Sequence, residues 1–167
     1  IWSLFVDWVP YVVGERREIV VSLDWTEFDA DDHSTLVLSL QTNRGTPLLW
    51  KTHQKSLLKD QRNAHERELL TRLKETLPES VFVTTVADRG FGYRETFELL
   101  KAELDFACVI RFKGNVLVGE AGAEQRKASD WLIPSGRRRI LKNVELAQQR
   151  QPVPRVFCTK KAGMKEA

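Results

Sequence analysis

Cysteine, histidine and methionine are all scarce in this sequence: two, three and one residue respectively. Cys108 and Cys158 are too few and too far apart for a disulfide framework or a Cys-x2-Cys ligand pair, so they read as two buried, reduced thiols. His33, His53 and His65 are scattered and form no cluster with cysteine, which argues against a structural zinc site. No apolar run approaches the roughly 20 residues that a helix needs to cross a bilayer, and no signal-peptide pattern opens the chain. No membrane partner is therefore expected. The chain begins at Ile1 and its only methionine is Met164, so it reads as a processed or excised piece of a longer protein. It contains no internal repeat and no low-complexity segment.

What is present is a globular composition. The 167 residues are 42% hydrophobic and 29% charged, enough for one domain with a real core, or for one domain and part of another. Charge is unevenly placed. Residues 1–110 carry 13 Lys+Arg against 18 Asp+Glu, whereas residues 111–167 carry 13 against 5. Arg137-Arg138-Arg139 and Lys160-Lys161 lie among apolar, strand-like segments, so the excess describes a basic surface on a folded unit. A polyanionic partner such as DNA or RNA fits it.

Residues 1–16 read as an N-terminal extension or linker, aromatic and apolar over Ile1–Val13, with Pro10 limiting any helix. Ile19–Asp24 (IVVSLD) reads as a central strand, apolar at nearly every position. Ser34–Leu40 and Thr46–Trp50 follow as strands separated by turn signals, an antiparallel start. Asp60 can cap a helix whose stripe is Ala64, Leu69, Leu70, Leu73 and Leu77, closed by Pro78. Val81–Asp88 is a fourth strand, Gly92–Leu104 a second helix and Phe106–Phe112 a fifth strand. The order βββ-α-β-α-β is that of a ribonuclease H-like mixed α/β sheet, here a partial core over residues 17–113. Residues 114–167 read as the start of a β-rich, basic insertion subdomain.

Two of the strands, IVVSLD and VFVTTVAD, end on a carboxylate, Asp24 and Asp88. In a ribonuclease H-like fold the first and fourth strands lie side by side, so these two acids meet; paired carboxylates repel unless a cation or a proton intervenes, and hard divalent cations take oxygen ligands. Metal-assisted phosphodiester chemistry follows from such a site. Glu27, Asp29, Asp31 and Asp32 follow Asp24 closely and read as a solvated turn. Lys51, Lys55 and Lys59 recur at helical spacing with Arg62 beyond, as either a phosphate-contacting ridge or a solvated face. Arg89 either contacts the scissile strand or braces a carboxylate. Arg111, Lys113 and Asn115 close the fifth strand and either face DNA or are solvated. Trp131 reads as core, with base stacking the alternative, and Trp2, Trp8, Trp25 and Trp50 read as core or inter-domain contacts.

Four stretches in this order, LDWTEFD at 23–29, TPLLWKTHQKS at 46–56, ADRGF at 87–91 and VIRFKGN at 109–115, resemble the DDE transposases of bacterial insertion sequences, in the IS-four group. The resemblance runs from about residue 17 to residue 115, and more loosely to Gly163-Met164-Lys165-Glu166. It implies a ribonuclease H-like catalytic core in which Asp24 and Asp88 are the first two acids of the triad and bind Mg2+ or Mn2+, two ions in the complete site. It also implies double-stranded DNA partners (transposon ends and target), a dimer in the intact protein, and the cytoplasm of a bacterium, at the nucleoid. The third acid of the family is a Glu within Tyr-x2-Arg-x3-Glu-x6-Lys. Tyr11 and Tyr93 are followed three residues on by Gly14 and Thr96, so that signature is missing here. Glu120, Glu124, Glu145 and Glu166 fall in the expected insertion and are not assigned to the triad. The third acid is thus unknown and expected beyond Ala167, and the isolated piece is expected to be weakly active or inactive. Two other readings stay open: another ribonuclease H-like nuclease such as a junction resolvase, and a non-catalytic DNA-binding or assembly fragment.

Overall fold

The computed structural model describes residues 2–28 and 30–160. The chain divides into two compact units, Ile1–Arg111 and Phe112–Ala167.

In the first unit, helix α1 (Trp2–Val13) precedes strands β1 (Glu18–Glu27), β2 (His33–Leu40) and β3 (Thr46–Gln54). Helix α2 (Arg62–Thr76), strand β4 (Phe82–Ala87), helix α3 (Arg94–Glu98) and strand β5 (Ala107–Ile110) follow. The five strands form one mixed sheet in the order β3-β2-β1-β4-β5. β1 pairs antiparallel with β2 and parallel with β4, and β5 runs parallel to β4. The α3 helix continues into a π-helical turn over Leu99–Glu103, which buries Leu99 and Leu100.

Several expectations are corrected at this level. Pro10 does not stop the first helix, which runs through it to Val13. Phe5, Val9 and Val13 repeat every four residues and are buried, and α1 packs on β3 and α2. Tertiary burial of that stripe offsets the missing Pro10 N–H in a helix with one turn left to run. Gly14, at φ +59°, then ends the helix in a conformation that glycine adopts without strain. Asp60 does not cap α2. It sits at φ +59°, and Gln61 is the N-cap residue, with no side-chain capping bond.

Strand β1 alternates instead of being buried on both sides: Ile19, Val21 and Leu23 are buried while Val20 is exposed. Nor does it end at Asp24. It continues to Glu27, paired with β2, while its pairing with β4 ends at Leu23↔Ala87. Lys51, Lys55 and Lys59 share no helix, because Lys51 lies in β3, Lys55 opens a 3-10 turn and Lys59 lies in the turn before α2.

Of the expected α2 stripe, Leu69, Leu70 and Leu73 are almost wholly buried in one core with Val21, Leu36, Leu38, Leu49 and Val83, and Leu77 is buried just past the helix, but Ala64 is exposed. One polar residue shares that stripe: Glu66.

The second unit is a four-stranded antiparallel sheet, β7-β6-β8-β9, built from β6 (Leu117–Glu120), β7 (Arg126–Lys127), β8 (Arg139–Leu146) and β9 (Gln151–Cys158). The unit is β-rich, as its short apolar stretches predict. Val118, Leu141, Val144, Val156 and Cys158 form its core, with Trp131 packed against it and donating its indole N–H to the Val118 carbonyl at 3.1 Å. Gly119 lies close against a neighbouring loop: a Cβ there would stand 3.0 Å from the Glu124 carbonyl oxygen. Among the described residues, no helix is long and apolar enough to cross a membrane.

Candidate active site

The parallel ladder between β1 and β4 ends where β4 leaves the sheet, while β1 runs on against β2, and ligands of open α/β sheets gather at such carboxyl ends. Leu23 and Ala87 are the last paired residues of that ladder, and the next residue on each strand is an aspartate. Neighbouring strands run about 4.8 Å apart, so the ladder sets Asp24 and Asp88 side by side. Both are exposed, and both line one cleft of about 260 Å³ with Trp25, Arg62, Asn63, Glu66, Gly90, Phe91 and Tyr93. Asp88 is followed by a single 3-10 turn, Arg89–Phe91, that returns Phe91 to the core.

Trp25 and Glu66 were not expected at a site. Trp25 follows Asp24 on β1, half-buried, and its indole N–H donates to Glu66 Oε1 at 2.8 Å. Glu66 is only 4% exposed, and its second carboxyl oxygen, Oε2, has no hydrogen-bonding partner among the described residues. Burial pushes the Glu66 pKa up, opposed in part by the Trp25 hydrogen bond and the charge of Arg62. The Arg62 guanidinium lies over the Trp25 ring, 4.9 Å from its centroid, and is held by Glu27 at 2.5 Å. The signal for Glu66 was present in the sequence. It occupies the first place of the stripe 66, 69, 70, 73, a core position where a carboxylate needs a reason.

The expected DNA contacts are distributed otherwise. Lys51 bonds Glu68 at 2.8 Å, and Lys55 donates to the carbonyls of Phe28 and Asp31 at 2.5 and 2.9 Å, so both brace the first unit. Neither lines the cleft. Arg89 is exposed beside Asp88, outside the cleft lining. Arg111, just past β5, is exposed with its Nε 3.9 Å from Asp88 Oδ1, a loose ion pair. Lys113 and Asn115 are exposed in the second unit. The acids after Asp24 are engaged locally: Glu27 with Arg62, Asp31 with His33 at 2.6 Å, and Asp32 with the Ser56 hydroxyl at 3.1 Å. Asp29, Lys161 and the stretch 163–166 lie outside the described residues.

Three carboxyl groups line the cleft: the exposed Asp24 and Asp88, and the buried Glu66 on its wall. Among the described residues, however, no three His, Cys, Asp or Glu side chains are gathered so as to hold a metal ion. Asp24 and Asp88 form an incomplete pair.

The chain matches no family model, no curated protein and no solved structure at a significant level.

Proposed function

We propose that this chain is catalytic-core sequence of a DDE-type DNA transposase with a ribonuclease H-like fold, acting on phosphodiester bonds at transposon ends. The observation that carries this reading is the adjacency of Asp24 and Asp88 at the end of the β1–β4 ladder. The strand order β3-β2-β1-β4-β5 and the four motif stretches support it.

Asp24 and Asp88 would hold Mg2+ or Mn2+, two ions in the complete site, with a third acid supplied in the family by a later helix. Bound there, such ions supply Lewis-acid stabilisation of the attacking and leaving oxygens of an in-line displacement. The chain's own part is to fix the two carboxylates on a rigid sheet edge, so that no loop ordering precedes binding. Each reaction is a displacement at phosphorus. Hydrolysis frees a 3′ hydroxyl at the element's end, and that hydroxyl then attacks a phosphate of the second strand or of target DNA.

A second reading, a DNA-binding module without catalysis, is favoured by a separate observation. In the second unit, Lys142 and Arg155 face each other across β8 and β9, both exposed, and no acidic side chain among the described residues pairs with either. Like charges directly opposite each other destabilise a sheet unless an anion lies over them. One assay separates the readings: supercoiled plasmid incubated with the intact protein and Mn2+. Nicks with 3′ hydroxyl ends, strand-joined products, and loss of both in Asp24→Asn and Asp88→Asn support the transposase. Nicking without joining supports another ribonuclease H-like nuclease. Salt-sensitive DNA retention with no nicking supports the binding module.

A further inference from the structure

The feature of the cleft that sequence motifs leave unassigned is Glu66. It stands on the core face of α2, in line with Leu69, Leu70 and Leu73, where an apolar side chain would complete the stripe. Its side chain is more than nine-tenths buried, yet it reaches the wall of the cleft that also holds Asp24 and Asp88. Only half of its carboxyl group is employed. Oε1 takes the Trp25 indole N–H, and Oε2, enclosed, has no partner among the described residues. Buried polar atoms are almost always satisfied, and an exception in a cleft beside two other carboxylates indicates what is to be bound there.

We infer that Glu66 is a third acidic ligand of this cleft, recruited when a divalent cation of the Mg2+ class binds at Asp24 and Asp88. The inference rests on the reading that those two acids share a cation, and it adds the acid that the chain itself contributes. In the free chain Glu66 is turned toward Trp25, which agrees with the absence of a gathered three-acid cluster among the described residues. Recruitment requires the Glu66 carboxyl group to turn away from Trp25 by rotation about its side-chain bonds. Trp25 directly follows Asp24 on β1, so the residue that holds Glu66 is covalently joined to a residue that would hold the ion. Hard cations of this class take oxygen ligands, and each added carboxylate raises affinity through its charge.

The test is calorimetric titration of Mn2+ into the wild type and into Asp24→Asn, Asp88→Asn, Glu66→Gln and Trp25→Phe. Glu66→Gln keeps the volume and an acceptor for Trp25, and Trp25→Phe removes the indole bond but leaves the carboxylate. Thermal melts report whether each variant is folded. The expected result is measurable wild-type binding that falls at least tenfold in Glu66→Gln, as in either aspartate variant, and is kept in Trp25→Phe. If Glu66 only anchors Trp25, Trp25→Phe lowers the melting temperature and neither variant changes affinity, which overturns the inference. Loss of binding in the aspartate variants with Glu66→Gln unaffected also overturns it, and leaves the Asp24–Asp88 reading standing. Absence of wild-type binding overturns it too, since the chain would then need an acid from elsewhere.

Discussion

Leu23 and Ala87 close the parallel ladder between β1 and β4, and the residue after each is an aspartate. Everything proposed about chemistry in this protein descends from that pairing. The side-chain period of a strand is two, so a one-residue slip would turn the buried set Ile19, Val21 and Leu23 outward and separate the two acids. Core burial therefore fixes the position of the site.

The core around α2 sets the stability of the first unit. Leu70 is fully buried, and Leu70→Ala should destabilise by about 2–5 kcal/mol through lost burial and the cavity left behind. Urea denaturation followed by circular dichroism checks it. The midpoint should fall with little change in slope.

The buried Glu66 and the half-buried His53 should give opposite pH dependences of stability. Burial raises the Glu66 pKa, so the folded state binds more protons there than the unfolded chain. Stability contributed by Glu66 is present below the ordinary glutamate pKa and is lost as pH rises through the raised value. Glu66→Gln should flatten that fall in melts taken from mildly acidic to neutral pH.

His53 behaves inversely. Burial lowers its pKa, with help from the positive charges of His65 and Lys51 and against Glu68. Its ring stacks on His65 with centroids 3.8 Å apart, and its buried Nε2 has no partner among the described residues. The unfolded chain binds the extra proton, so stability should fall as pH drops below the ordinary histidine pKa. His53→Phe should lessen that acid sensitivity, as read by the shift in melting temperature between pH 7 and pH 5.5.

If DNA is the partner, exposed cations should act through phosphate. Lys113→Ala should weaken duplex binding by a similar factor on unrelated sequences, and should reduce the slope of log affinity against log salt by about 1. Lys142→Ala and Arg155→Ala should behave alike, since the two face each other across one ladder. Lys51→Ala should change the slope little, because Lys51 is engaged with Glu68. Fluorescence anisotropy at several salt concentrations measures all four.

Much of the fold was legible because its signals are local. Alternating apolar runs marked β2 and β4, and the spacing of Leu69, Leu70 and Leu73 marked α2. The element order gave the neighbours of β1, and with them the adjacency of Asp24 and Asp88. What escaped depends on contacts between distant segments. Pro10 reads as a helix stop until Phe5, Val9 and Val13 are seen packed on the core, and Lys51 and Lys55 look available until Glu68 and two carbonyls claim them. Glu66 is legible as a core position from its place in the stripe 66, 69, 70, 73, but its partner is not, because only the meeting of α2 with β1 brings it to Trp25.

The central claim, that Asp24 and Asp88 serve one divalent cation, is tested most directly by anomalous diffraction from crystals grown with Mn2+ and a short DNA duplex. The account predicts an anomalous peak about 2.1 Å from a carboxylate oxygen of each aspartate. A peak bound to neither residue, or to only one of them, would contradict it.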